Sequence, residues 1–283
     1  MPDQQKTILI TGCSSGIGRC AAYMLRQRGY RVFASARRQE DVDALLADGL
    51  EALQLDLQDS DSIQLAVDTL LARTNGRLYG LFNNGAYGQP GAVEDLSTDL
   101  LRAQFETNLF GWHELTRRII PVMRSQGEGR IVQNSSVLGF VVMAYRGAYN
   151  ASKFALEGLT DTLRLELQGS GIYVCLIEPG PIESRFRANG YAMWKQHIDA
   201  TQSIHQEAYR AMAQRLKKEG AAAPFTLPPD AVVKKVIHAL ESPRPKARYY
   251  VTFPTHLFGM LKRLLTTRAL DRLLLKVSGG GSR

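Results

Sequence analysis

The chain has 283 residues, 45% hydrophobic and 22% charged, an ordinary balance for a globular protein with a large buried core. Its formal charge of +8 sits in the tail: residues 243–283 hold nine Lys/Arg against the single acid Asp271, and the preceding residues balance 26 against 26. A nucleic-acid-binding surface would spread its basic residues over the fold, so nucleic acid is excluded as a partner and a local contact of the tail is favoured.

Residues 6–11 read as a short buried strand, followed at once by a glycine-rich turn over 12–18 and a helix over 19–27 that Gly29 ends. Strands are predicted at 31–36 and 52–55, a helix at 60–74, a strand at 80–84 and a long helix at about 100–123. A strand at 130–135, a helix at 149–168 and a strand at 172–178 follow, the last stopped by Pro179-Gly180-Pro181. Residues 183–228 turn helical, with Phe186, Tyr191, Met193, Trp194 and Tyr209 supplying bulk; a helix at 229–240 and a strand at 249–252 complete the pattern. Alternating strands and helices give an α/β fold: a doubly wound parallel sheet of Rossmann type with helices on both faces. Residues 1–256 then form one dinucleotide-binding catalytic domain, with 183–228 a lid segment over the substrate.

Residues 257–283 form a basic amphipathic extension. Leu257, Phe258, Leu261, Leu264 and Leu265 oppose Lys262 and Arg263, while Ala269, Leu270, Leu273, Leu274 and Val277 oppose Arg268, Arg272 and Lys276. The two apolar faces do not coincide on one helical wheel, which predicts a bend near Thr266-Thr267. Such faces suit a membrane surface of anionic lipid and equally suit packing on the domain or on a second subunit. The terminal Ser-Gly-Gly-Gly-Ser-Arg reads as disordered. Cys13, Cys20 and Cys175 lack metal-like spacing, and the five histidines form no ligand set, so no metal site is expected. With no apolar stretch suited to a signal peptide or a bilayer span, the expected location is cytoplasmic, with possible contact to the inner face of the membrane.

The turn Thr11-Gly12-Cys13-Ser14-Ser15-Gly16-Ile17-Gly18 places three glycines between a strand and a helix. That arrangement permits a tight turn, close approach of backbone to a pyrophosphate, and phosphate binding at the helix N-terminus. An NAD site would carry an acid at the end of the second strand. Here the stretch reads Phe33-Ala-Ser-Ala-Arg37-Arg38, and guanidinium groups suit a 2′-phosphate, so NADP(H) is the expected cofactor. Tyr149 and Lys153 lie four apart at the start of a predicted helix, hence on one face. An ammonium beside a phenol lowers its pKa and fits Tyr149 for proton exchange with a substrate hydroxyl or carbonyl. Lys153 is also placed to bind the cofactor ribose, and Ser136, ending the fifth strand, to donate a hydrogen bond to the substrate oxygen.

In this order the motifs resemble the short-chain dehydrogenase/reductase family: the glycine turn, Asn83-Asn84-Gly85-Ala86, Asn108, Ser136, Tyr149-Asn-Ala-Ser-Lys153 and Pro179-Gly180. The resemblance implies that Gly12, Ser14, Ser15, Gly16, Ile17 and Gly18 cradle the cofactor, that Asp56 with Leu57 meets the adenine edge, and that Asn83 lies on the adenosine ribose side. It implies that Asn108 holds a water in a proton relay behind Lys153. Pro179, Gly180 and Ile182 would contact the nicotinamide through backbone, with Ser184 at the family's usual threonine. Gly85-Ala86 reverses the family's order, and alanine is strained there if that position needs positive φ. Further stretches, Ala151-Ser-Lys-Phe-Ala-Leu-Glu-Gly158 and Ile177-Glu-Pro-Gly-Pro-Ile182, resemble the 17β-hydroxysteroid and retinol dehydrogenase branch and bacterial NADP-dependent aldehyde reductases. The resemblance also implies a homo-oligomer, dimer or tetramer. Residues 138–145 and 183–228 are apolar and aromatic, without an evident cluster for a carboxylate or phosphate. The expected substrate is therefore a small hydrophobic carbonyl compound or its alcohol: a medium-to-long aldehyde, retinal or a ketosteroid. A non-catalytic NADP(H)-binding regulator on the same fold is the alternative.

Overall fold

The computed structural model describes residues 5–217, 220 and 223–278; most of the glycine-rich C-terminal stretch read as disordered lies outside them. Seven short strands form one parallel sheet: β1 (Thr7–Ile10), β2 (Arg31–Ala36), β3 (Glu51–Gln54), β4 (Gly80–Asn83), β5 (Gly129–Asn134), β6 (Ile172–Glu178) and β7 (Arg248–Tyr250). Their spatial order is β3-β2-β1-β4-β5-β6-β7. The order reverses between β1 and β4, and the helices that follow those strands diverge there to leave a crevice at the carboxyl ends.

The helices are α1 (Gly16–Gln27), α2 (Gln39–Ala47), α3 (Ser60–Arg73), α4 (Thr98–Phe105), α5 (Gly111–Gln126), α6 (Gly147–Glu166), α7 (Phe186–His197), α8 (Gln206–Lys217), α9 (Asp230–Glu241), α10 (Phe253–Leu264) and α11 (Thr267–Ser278). On one face of the sheet Ala21, Leu25, Val42, Leu45, Val232, Val236 and Leu240 pack from α1, α2 and α9. On the other, Ile63, Leu70, Trp112, Leu115, Ile119 and Leu156 pack from α3, α5 and α6. Each large apolar side chain so buried contributes roughly 1.5–3 kcal/mol, which is why these stripes fix the layers. Sequence patterning gave no sign of α2, a two-turn helix with only Val42 and Leu45 buried.

The long helix expected at 100–123 starts earlier, ends later and is interrupted by a π turn over Glu106–Phe110, where the Gly111 N–H reaches back to the Glu106 carbonyl. π turns are rare and cluster at functional sites; this one carries Asn108. The lid segment folds into α7 and α8 around a third apolar cluster, in which Tyr209 donates to Asp95 and accepts from the Ala92 N–H at 2.9 Å. The tail forms α10 and α11, and the expected bend falls at Leu265 and Thr266, where Leu265 is extended with ψ 146. Helix α11 packs on the protein's own domain, with Leu274 buried and Ser278 Oγ accepting from the Ala144 N–H at 3.3 Å. Among the described residues no helix is long and apolar enough to cross a membrane.

Candidate active site

The crevice at the switch point continues into a cavity of about 700 Å³, running from the glycine turn past Tyr149 to the lid and the tail helices. At the first end, Gly12 has φ +72 and Gly16 has φ +57, the left-handed region that disfavours side chains. A Cβ on Gly12 would stand 2.5 Å from Gly85 Cα, and one on Gly18 would stand 2.3 Å from the Gly12 carbonyl oxygen. The turn is therefore backbone packed on backbone. Ser15 caps α1 without a side-chain hydrogen bond, so the first N–H groups of that helix face the cavity with no protein acceptor from their cap. Ser14, Ser15, Gly16 and Ile17 line the opening with Gly12, and Gly18 packs behind them. This is a cradle fitted to a dinucleotide pyrophosphate.

The reversed Gly85-Ala86 order carries no strain, since Ala86 is not among the residues with positive φ. Glycine is needed one position earlier, where the Gly12 backbone and the Leu57 side chain press on Gly85 at 3.2–3.3 Å from a hypothetical Cβ. Asn83 needs correcting: its side chain is fully buried and donates to Thr116 Oγ1 at 3.0 Å, so it does not line the cavity. Asn84 lines it instead, donating to the Thr11 and Gly12 carbonyls at 3.0 and 3.2 Å and accepting from Asn134 at 2.9 Å. Thr11 Oγ1 accepts from the Asn84 and Gly85 N–H groups at 2.8 and 2.9 Å, so one polar network ties the ends of β1, β4 and β5.

At the end of β2, Arg37 is exposed and forms no ion pair among the described residues, whereas Arg38 is committed to Asp41 at 2.9 Å and Glu40 at 3.9 Å. Arg38 is thus the N-cap of α2, and the free guanidinium is that of Arg37. Asp56 follows β3, its carboxylate accepting from the Gln58 N–H at 3.0 Å, and Leu57 is buried against Gly85 and Gly111. Pro179, Gly180, Ile182 and Ser184 form the wall opposite the turn. There the Gly180 backbone sits where a Cβ would meet Thr252 Oγ1 at 2.2 Å, and Ile182 bridges to Leu227 of the segment leaving the lid.

The expected catalytic side chains converge. Ser136, Tyr149 and Lys153 all line the cavity, and Ser136 Oγ accepts from the Leu138 N–H at 3.1 Å. Lys153 Nζ is buried, donates to the Asn134 carbonyl at 2.8 Å and lies 4.3 Å over the Trp112 ring. Burial pushes the Lys153 amine down to about 7, with the charge of Glu157 opposing the fall. Burial pushes the Tyr149 phenol up to about 12, and the Ser136 hydroxyl and the charge of Arg146 pull against it. The charge of Arg146, three residues before it, acts on the phenol, and Lys153 Nζ lies 5.8 Å from the centre of the Tyr149 ring. Asn108 is also repositioned. Its side chain clamps the Tyr87 backbone, donating to the carbonyl at 2.9 Å and accepting from the N–H at 3.2 Å, with Ser152 Oγ at 3.3 Å.

Two further groups were missed. The tail helices close the cavity through Phe253, Leu257 and Phe258 of α10 and Leu274 and Val277 of α11. Arg146 and Arg215 of α8 line the same space, two cations among mostly apolar side chains. Arg146 was legible as the residue one turn before Tyr149; nothing local marks Arg215.

The comparisons with known proteins agree with this geometry. The family described as short chain dehydrogenase matches residues 6–193. The oxidoreductase YbbO of Escherichia coli is 44% identical over 270 residues, covering 95% of this chain and 94% of that protein. Mouse retinol dehydrogenase 16 is 32% identical, covering 96% and 88%. A solved short-chain dehydrogenase from Streptomyces avermitilis superposes with a TM-score of 0.76 at 30% identity over 100% of both chains. A cradle, a Ser-Tyr-Lys cluster and a sheet order shared along the whole chain make it a member of the short-chain dehydrogenase/reductase family, an oxidoreductase acting on CH–OH and C=O groups.

Proposed function

We propose that the protein reduces apolar aldehydes or ketones with NADPH, using Tyr149 as the proton donor. The observation that carries this is the meeting of Ser136, Tyr149 and Lys153 between a glycine cradle and an apolar cavity. NADPH, when bound in the cradle, supplies the hydride to the carbonyl carbon. A phenol held near 12 stays protonated at neutral pH, which suits donation to a carbonyl oxygen. Ser136 orients that oxygen, and the positive charge of Arg146 stabilises the phenolate left behind. Lys153, fixed by the Asn134 carbonyl, is placed to hold the ribose side of the cofactor. Arg37 supports NADPH over NADH, because β2 ends on an uncompensated cation where an NAD site would end on a carboxylate.

A turnover screen of decanal, retinal and a ketosteroid with each cofactor tests this function. The expected outcome is turnover of at least one with NADPH at a lower KM than with NADH. Equal or better use of NADH overturns the cofactor assignment, and better reduction of short keto acids such as pyruvate than of any apolar carbonyl compound overturns the substrate class.

A further inference from the structure

Arg146 and Arg215 reach the cavity from distant parts of the chain, one directly before α6 and the other on the lid helix α8. Both are partly buried, neither forms an ion pair among the described residues, and Nε of Arg215 is buried without any hydrogen-bond partner. Burial pushes the Arg146 guanidinium down to about 10, and the charge of Arg215 pushes the same way. Burial lowers Arg215 as well. A guanidinium keeps its proton at neutral pH. Folding has therefore brought two like charges to one largely apolar cavity, with no ion pair to either among the described residues, a costly arrangement.

Their neighbours do not relieve it. Glu183 lines the cavity but is exposed, and it shifts neither guanidinium. Arg185 is exposed, and Arg187 donates to the Gly220 carbonyl. The surrounding wall is Leu138, Val141, Met143, Phe186, Leu216 and Phe258. A ligand that fits must bring an apolar body and an anion together. Because the charge of Arg146 also acts on Tyr149, that anion lies close to the reacting carbonyl.

Resting on the reductase function above, we infer that the substrate is an apolar oxo-acid, whose carboxylate, a few bonds from the carbonyl, is held by Arg146 and Arg215. Planar guanidinium groups match a carboxylate with paired hydrogen bonds. Since one arginine belongs to the floor of the cavity and the other to the lid, the same carboxylate draws α8 over the bound substrate.

Binding of decanoate, decyl phosphate and decanol, measured by calorimetry with NADP⁺ present, tests the anion site without relying on turnover. Decanoate is expected to bind roughly 10- to 100-fold more tightly than decanol, the range for a hydrogen-bonded charge. Arg215→Gln should bring decanoate close to decanol, and Arg215→Lys should restore part of the difference. Equal binding of acid and alcohol, tighter binding of the phosphate, or indifference of decanoate to Arg215→Gln overturns the inference. Kinetics with 4-oxododecanoate and its methyl ester then test substrate class: the acid should have the higher kcat/KM, and Arg215→Gln should collapse the ratio. If neither these compounds nor decanal is reduced while decanoate still binds through Arg215, the reductase function fails and the anion site stands. If decanal is reduced but the ester matches the acid, the oxo-acid inference fails and the reductase function stands.

Discussion

At the cofactor end of the cavity, main chain meets main chain: Gly12 lies against Gly85, Gly18 against the Gly12 carbonyl, and Thr11, Asn84 and Asn134 lock three strand ends together. At the substrate end, side chains from the loop before α6, the lid helices and the tail meet over an open space. The first region tolerates no added atom and presents backbone groups that any dinucleotide phosphate can use. The second is assembled from separate helices, with large apolar side chains and two arginines that form no ion pair among the described residues. The difference teaches that the chemistry is fixed by a rigid, local device, while selectivity resides in a surface that can be rebuilt without disturbing it.

The sharpest way to break this division is at Tyr149, where the two regions touch. Tyr149→Phe should lower turnover by about 10²–10⁴-fold while NADPH affinity, read by fluorescence titration, stays unchanged. Near-normal turnover would remove Tyr149 from the chemistry and leave a binding protein on the same fold. Next in size is Gly12→Ala. Gly12 and Gly127 share φ +72, but a Cβ on Gly127 meets nothing within 4 Å. Both alanine variants should lose about 1–2 kcal/mol from left-handed backbone, and only Gly12→Ala should lose more and weaken NADPH binding. Equal losses in thermal unfolding and equal NADPH affinity would deny that backbone contact defines the cradle.

At the substrate end, the double variant Leu274→Ala and Val277→Ala removes apolar wall supplied by α11. We expect KM for decanal to rise by roughly 10-fold, the scale of a few lost methyl groups in a pocket, with KM for NADPH unchanged. A parallel rise in both would mean that the tail supports the whole fold and not one end of the cavity.

The last effect is read in stability and not in turnover: the Lys153 amine is pushed from 10.5 down to about 7. Between those values the unfolded chain holds a proton that the folded protein releases, so stability rises with pH from 7 to 10; below 7 both states are protonated and the contribution is constant. Lys153→Met should remove that slope. Its melting temperature should exceed the parent's most at pH 7 and below, with the gap closing toward pH 10. Parallel melting curves across this range would show that burial of the amine carries no cost.

By itself the sequence determined the order of the strands and of the helices other than α2, the glycine turn, the Ser136, Tyr149 and Lys153 set and the bend in the tail, because each depends on spacing within a few residues of chain. Strand patterning located all seven strands to within a residue or two, for buried parallel strands are short apolar runs bounded by turns. Local signals failed where direction in space matters. Asn83 and Asn84 are adjacent and chemically identical, but only the sheet decides which faces Thr116 and which faces the cavity. Arg37 and Arg38 are equally basic, and it is the start of α2 that engages Arg38 with Asp41 and leaves Arg37 free. Tertiary structure alone brought Arg215 and Arg146 to one cavity and laid α10 and α11 over it. These segments are far apart in the chain, and their meeting follows from burial of separate apolar faces on one core, which no local periodicity encodes.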